Sequence, residues 1–483
     1  MRHLYILFFL LPITTYAQKH DCHWAFGYGY ILPDDTISEG GNCLVDFNLG
    51  HPQFTKTNLK LRFDSHTAVC SDSLGQLLFY TNGLRVLNQS RQLIENGDTI
   101  NPGTQWQNAV EDNSGYSGFS PLALPDPAGG NRYYLIHIGI KVSNGIKFSP
   151  LYYTTIDMAA NNGAGKVTKK NQILAEGSFS EAVAAKHANG RDWWVIVHVA
   201  DQPRFLRYLI TPEGLSEAAE QTVTGLNFAN FNGPCRARMS YNGQQYAFIN
   251  DNNFTALYDF DRCSGFLSNQ RVLLHNPDFF FNFLIFSPDS RFLYLNRTRT
   301  ILQYDLMADT LAGYILDTVQ RFDFNVYPFE PFGANYAESA IGADGKIYYT
   351  PFSSTRFLAP MHRPNLAGSA CDMENSGIFL PRYIGYTYHH YPNYRLGRLA
   401  GSPCDTLPMR PSSVAVGFEP ATQYEDFLEQ QTRSSRQVFQ QPPPIQGTKG
   451  CNVGETLQAI LEERLKERAI SEQRKIHKST IPK

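Results

Sequence analysis

Charge of one sign is what this sequence has least of: across 483 residues the formal net charge is -2, with 42 Lys and Arg against 44 Asp and Glu. A chain without a basic field cannot attract a polyanion over a broad surface, which argues against nucleic acid as a partner. Charged residues of both signs together make up only 18%, so long solvated helices are not expected before the C-terminal tail. Long apolar runs are also missing. The run from Leu4 to Leu11 is too short to cross a bilayer, and no later segment is apolar enough to be a transmembrane segment. None of the 8 cysteines stands in C-x-x-C spacing and none has a histidine at finger spacing, which argues against a zinc site. Gly115, Tyr116, Ser117, Gly118 and Phe119 miss the G-x-S-x-G nucleophile elbow at the last residue and lack its strand-to-helix setting.

Aromatic residues, by contrast, make up 13% of the chain, with 37 Gly and 28 Pro, a composition suited to short half-buried strands joined by tight turns. One phrase organises them. Phe286 to Leu295 reads F-S-P-D-S-R-F-L-Y-L, an apolar arm, a polar turn and a second apolar arm, the pattern of a β-hairpin. It recurs at Met239 to Ile249, Ala340 to Phe352 and Cys70 to Gly83, and more weakly at Leu122 to Ile138 and Ala184 to His198. The spacing of about 45 to 60 residues is that of propeller blades. After the hairpins come further strand pairs, at Leu151 to Leu174, Phe205 to Val223, Phe254 to Leu274 and Ile301 to Val319, which would bring each blade to four strands. The expected fold class is all-β: a single β-propeller of six or seven four-stranded blades, with a C-terminal linker and a short helical tail. Residues 20–64 read as strands without a full repeat and would close the ring, because an open ring leaves unpaired sheet edges.

The first residues, with a basic position, an apolar run and Thr15-Tyr16-Ala17, read as a secretory signal cut after Ala17. The expected organisation is a signal peptide over 1–17, a propeller over 18–407, a Pro/Gln/Ser-rich linker over 408–453 and a tail over 454–483. In the tail Leu457, Ile460, Leu461 and Leu465 share one helical face. Export implies an oxidising setting, where an even number of cysteines reads as disulfides. Cys235–Cys263 and Cys371–Cys404 are the candidate pairs, and Cys451 lies in the tail.

These phrases together resemble the large secreted β-propeller group of Bacteroidota, YVTN- or WD40-like proteins often exported by type IX secretion. The likeness rests on W-A-F-G at Trp24 to Gly27, L-L-F-Y-T-N-G at Leu77 to Gly83, F-S-P-D-S-R-F-L-Y-L and A-D-G-K-I-Y at Ala343 to Tyr348. R-P-N-L-A-G-S-A-C at Arg363 to Cys371 and Y-R-L-G-R-L-A-G-S-P-C-D-T-L at Tyr394 to Leu407 add to it. The resemblance implies a propeller fold, export and a surface or extracellular life, and carries no catalytic residues. The chain departs from the group at its end: Glu419 to Thr422 only echoes the start of the usual sorting domain, and a helical pattern follows. That leaves the export route open.

The sequence therefore assigns no catalytic residue, cofactor or metal ligand. His389 and His390 are adjacent, and neighbouring strand residues point to opposite faces, so their rings would not meet on one metal. Asp34-Asp35 and Asp251-Asn252-Asn253 lack the spacing of a calcium loop. Trp193 and Trp194 stand in an apolar strand, where one ring would pack between blades and the other could meet a glycan or peptide. Asp344 and its neighbours resemble the turn of quinone-cofactor propellers, which is a hairpin property. Glu181 and Glu338 open comparable hairpins and would approach the central channel. The preferred expectation is a non-enzymatic module binding protein or glycan through one face of the disc. A hydrolase, lactonase or lyase working at the channel is the alternative, favoured if Glu181, Glu338 and a histidine converge. A structural part of the envelope, secretion or motility apparatus is the third.

Overall fold

Six hairpin turns are closed by the same backbone bond. In a computed structural model of the chain, the N–H of Asp72, Asp126, His187, Ser240, Ser287 and Gly342 donates to the carbonyl of Gln76, Arg132, Asp192, Gln245, Phe292 and Lys346, each at 2.8 or 2.9 Å. These are the six recurrent phrases. The reason is local: the turns carry Asp, Asn, Ser or Gly, and Gly75, Gly190, Gly243, Ser290 and Gly345 take the positive φ the reversal requires. The structure describes residues 18–405 apart from 28–40, 64–65, 112–115, 117, 144–145, 226–234, 250–253, 275–282, 298–299, 309–310, 312, 319–335, 352–354, 375–376 and 385–386. The signal, linker and tail assignments lie outside the described residues.

Each hairpin grows outward into an antiparallel sheet, and the sheets form seven blades of three to five strands. Blade 1 holds His66–Ser71, Leu77–Thr81 and Val86–Asn88; blade 2 holds Leu122–Pro125, Arg132–Ile138, Leu151–Asp157 and Lys166–Ala175. Blade 3 begins with Val183–Lys186 and Trp193–His198, and its Arg204–Thr211 pairs with both Gly214–Leu215 and Ala219–Thr222. Blades 4, 5 and 6 are regular four-stranded sheets that begin at Arg236–Met239, Phe283–Phe286 and Tyr336–Ile341. The seventh blade is three-stranded, built from His23–Gly27, Asn42–Asp46 and Gln53–Thr57. The N-terminal stretch therefore makes a blade of its own. The C-terminal Tyr388–His389 joins blade 1 instead, running parallel to His66–Ser71. The four-strand expectation holds at blade 1 through the closing strand and fails at blade 3, which has five strands, and at blade 7, which has three.

Closure is visible in the packing. One buried apolar cluster fills each junction between neighbouring blades. Trp193 and Tyr208 face blade 2, Phe205 and Tyr246 fill the junction of blades 3 and 4, and Phe286 and Leu293 that of blades 4 and 5. Ala25, Phe63, Val69 and Tyr80 join blade 7 to blade 1. Flat aromatic and β-branched side chains suit this geometry because a wedge between twisted sheets is widest at the rim. Trp193 and Trp194 are both buried, at 0% and 8% exposure, and their indole N–H groups donate to the carbonyls of Pro125 and Arg262. Neither ring is free for a ligand, since both faces of this strand are covered by neighbouring blades.

Residues 387–405 cross the hub as a strap. Tyr391 O–H donates to the His23 carbonyl, Asn393 to the Tyr241 carbonyl and Tyr394 to the Ala123 carbonyl, at 2.9, 2.8 and 2.7 Å. Arg395 clasps Asp21 through both guanidinium ends at 2.6 and 2.7 Å. The strap ends in a disulfide, Cys263–Cys404, with Cα atoms 5.5 Å apart. Neither expected cysteine pairing forms: Cys263 sits in an outer turn that faces the strap, beyond the reach of the interior Cys235. Among the described residues no helix is long and apolar enough to cross a membrane.

Candidate functional site

The innermost strand of blade 4 carries arginines at alternate positions, Arg236 and Arg238. Residues two apart on a strand share a face, here the one turned to the hub. Carboxylates from two other blades and a ring from the strap meet them. Arg238 Nη1 donates to Glu181 Oε2 at 2.6 Å and to its neighbour's carbonyl, Ala237 O, at 2.7 Å. The Ala237 N–H also donates to Glu181 Oε2, at 3.1 Å. Glu181 precedes the inner strand of blade 3 and is held there by its own N–H, bonded to the Cys235 carbonyl. Its other oxygen, Oε1, lies 2.9 Å from His390 Nδ1. From blade 6, Glu338 approaches Arg236 at 3.4 Å and Arg238 at 4.0 Å. Glu181 and Glu338 are both 0% exposed.

The electrostatics follow from this crowding. Burial alone would raise the Glu181 carboxyl, but Arg238, His390 and Arg236 reverse this and hold it well below the usual carboxylate range. His390 is pushed below the ordinary imidazole value, first by burial and then by the Arg238 charge, with Glu181 opposing. It is therefore neutral near pH 7. An ionised carboxylate only accepts, so the ring proton sits on Nδ1 and donates to Glu181, leaving Nε2 with its lone pair. His390 and Arg238 also line a cavity of ≈ 60 Å³ with Tyr241, Ser339 and Asn393. That volume holds about two waters. The strap residues 389–393 and Leu396 form part of its wall.

The adjacent histidines diverge as the alternation of a strand requires. His389 Nε2 accepts the Ala25 N–H at 3.1 Å, and its ring stacks on Trp24 with centroids 5.1 Å apart. Asp344 is spent in its hairpin, accepting from the Tyr348 hydroxyl at 2.7 Å. Asp34-Asp35 and Asp251 to Asn253 lie outside the described residues, as do Gly115 and Ser117. Sequence reasoning brought Glu181 and Glu338 to the channel but missed Arg236 and Arg238. The signal was present: R-A-R-M at the start of a hairpin puts two charges on the inward face of an otherwise apolar strand.

No family model and no curated protein matches the chain. Solved structures with a similar course of the chain include a candidate 6-phosphogluconolactonase from Bacteroides uniformis, 12% identical over 75% of this chain and 97% of that one, TM-score 0.44. The periplasmic gluconolactonase of Pseudomonas aeruginosa is 12% identical over 76% of this chain and 97% of its own, TM-score 0.43. AztD of Citrobacter koseri is 10% identical over 72% and 83%, TM-score 0.36. At such identities and scores these likenesses say nothing of what this chain does. On its own strand pairing and blade junctions, the chain is a seven-bladed β-propeller.

Proposed function

We propose that the hub of this propeller is a hydrolytic site for a small ester or lactone, with His390 as general base. The observation that carries the reading is the convergence of Glu181, Glu338 and His390 on the two arginines of blade 4. A base whose far nitrogen is tied to a carboxylate is fixed in tautomer and orientation, as general-base catalysis requires. In the proposed step His390 Nε2 takes a proton from water and the oxygen attacks the carbonyl carbon. The negative charge that develops on the carbonyl oxygen falls to the cationic Arg238, which lines the cavity beside His390. The C–O bond then breaks, and the alkoxide recovers the proton from the imidazolium, giving an alcohol and a carboxylic acid that releases its own proton to solvent.

A pH-stat screen of esters and lactones with the full chain tests this. Wild-type turnover should fall by about 10²–10⁴-fold in His390→Gln, which keeps a donor to Glu181. Absence of turnover, or turnover indifferent to this change, overturns it.

A second reading, a non-enzymatic module binding protein or glycan through one face, is favoured by one observation. The cavity of ≈ 60 Å³ is far smaller than the ~300 Å³ at which ordinary ligand pockets begin. On that reading the ion pairs of the hub are structural and contacts lie on the loops; a glycan array and an envelope pull-down with the full chain would give binding without turnover. Either reading includes export after cleavage near Ala17, which the Cys263–Cys404 disulfide supports. Membership of the Bacteroidota group, type IX export and docking through the 454–483 tail are proposals of the same standing. N-terminal sequencing of the secreted chain and deletion of residues 446–483 test them.

A further inference from the structure

A second cavity lies away from the hub. It forms where the link from blade 7 into blade 1 and the turn before Val86–Asn88 meet the short helix Thr104–Glu111, has a volume of ≈ 40 Å³, and shares no lining residue with the hub cavity. Lys60, Arg62 and Arg85 line it, and no acid does. Arg62 is engaged elsewhere. The Lys60 ammonium and the Arg85 guanidinium are not: both residues are exposed, and among the described residues neither group enters an ion pair or a hydrogen bond. Glu111, at the end of the helix, does not line the cavity and pairs with neither.

The acceptors around the cavity are spent while these donors are idle. The Leu61 carbonyl takes the Asn42 amide at 3.0 Å, and the Arg62 carbonyl takes the Asn82 amide at 3.3 Å. The Leu84 carbonyl takes both the Ile100 N–H and the Trp106 indole N–H, at 2.9 and 3.2 Å. Asn82 Oδ1 accepts from the Leu84 N–H at 3.2 Å, and the buried amide nitrogen keeps a second N–H beyond the one given to Arg62. The last turn of the helix, which brings Ala109 and Val110 to the wall, contributes negative potential equal to about half an elementary charge. That offsets only a part of two full cations. The cavity is rich in donors and short of negative charge.

We infer that this cavity is an oxyanion site, with Lys60 and Arg85 receiving one phosphate, sulfate or carboxylate group of a small molecule. A guanidinium presents a planar fork to such a group and an ammonium presents a point charge with three donors, so the two residues hold it in complementary ways. At ≈ 40 Å³ the space is little more than the roughly 30 Å³ one water takes in the liquid, which suits a single headgroup at the mouth with the rest of the molecule outside. The inference owes nothing to either reading of the hub, and ester or lactone turnover does not bear on it.

Isothermal titration calorimetry of the full chain with sodium phosphate, sulfate and acetate, at fixed ionic strength in chloride, tests the inference and separates the three chemistries. The wild type should bind at least one of them with a millimolar or lower Kd, and the one held most tightly gives the class of oxyanion. Lys60→Gln and Arg85→Gln remove groups that make no bond in the structure, so both should keep the wild-type thermal midpoint. Each should weaken binding a few-fold, and the two together about tenfold or more. Lys56→Gln, at an exposed lysine of the strand Gln53–Thr57 that does not line the cavity, should bind as the wild type does. So should His390→Gln in the hub. No saturable binding by the folded wild type up to about 20 mM, or equal binding by the double variant, overturns the inference. An equal loss in Lys56→Gln, which would mean diffuse surface charge, or a loss in His390→Gln, which would put the anion in the hub, overturns it as well.

Discussion

Acid should unfold this propeller well before its carboxylates titrate, and the histidines packed inside it set the size of the effect. His20, His137, His198 and His389 are at most 4% exposed. Burial lowers them to about 4, 3, 4 and 3 respectively. An unfolded histidine titrates near 6.5. As the pH falls below that value the unfolded chain takes up protons that the folded chain refuses, so stability is complete above about 6.5 and is lost toward the folded values. Each such group costs about 1.4 kcal/mol per pH unit, hence about 2 kcal/mol by pH 5. Four together cost about 8 kcal/mol, within the 5–15 kcal/mol that usually holds a domain folded. Urea unfolding followed by tryptophan fluorescence between pH 7.5 and 5 is the assay. The midpoint should be level down to about pH 6.5 and then fall steeply, and His137→Gln should flatten the fall by about a quarter. A midpoint that stays level to pH 5 would refute the reasoning.

Three further outcomes concern the strap and its moorings. Cys263→Ser opens a link between residues 141 apart and should lower stability by about 2–5 kcal/mol, and non-reducing peptide mapping should recover the 263–404 pair from the wild type. Gly190 has φ +73°, and a Cβ there would stand 2.6 Å from the Arg398 backbone nitrogen, so Gly190→Ala should cost about 1–3 kcal/mol and lower the thermal midpoint. Asp21→Asn leaves the buried Arg395 guanidinium without its counter-charge and should cost about 3 kcal/mol in denaturant unfolding, an effect that Asp126→Asn at the exposed Arg132 pair should not reproduce.

The blades were legible in the sequence because everything that makes a hairpin lies within about a dozen residues. F-S-P-D-S-R-F-L-Y-L carries its own turn and both apolar arms, and the register Ile285 to Tyr294 and Phe286 to Leu293 follows from them. Glu181 and Glu338 could be placed near the hub for the same reason, since each sits at the start of an inner strand. The rest depends on contacts between distant residues that no local pattern encodes. His390 meets Glu181 across 209 positions, and it does so because the strap enters beside blade 1, a parallel pairing of only two residues. The cysteines show the same limit. Proximity along the chain favoured Cys235 for Cys263, whereas the strap delivers Cys404. One ring of the Trp193-Trp194 pair was expected to be open to a ligand because alternation gives a strand two sides, and in a ring of blades both sides are interior.

The pairing of Tyr388–His389 with His66–Ser71 also dictates an order of events during synthesis. Blades 2 to 6 each follow their predecessor in the sequence and can stack as the polypeptide leaves the ribosome. Blade 7 is made first, yet its neighbour on one side, blade 6, is made nearly last. A nascent chain therefore carries an unsatisfied first sheet until residue 384 has emerged, and the lock at Cys404 can shut only after nearly the whole propeller exists. Any product terminated before Tyr336, where blade 6 begins, is an unlatched arc with a raw blade face at each end, a natural substrate for quality-control proteases.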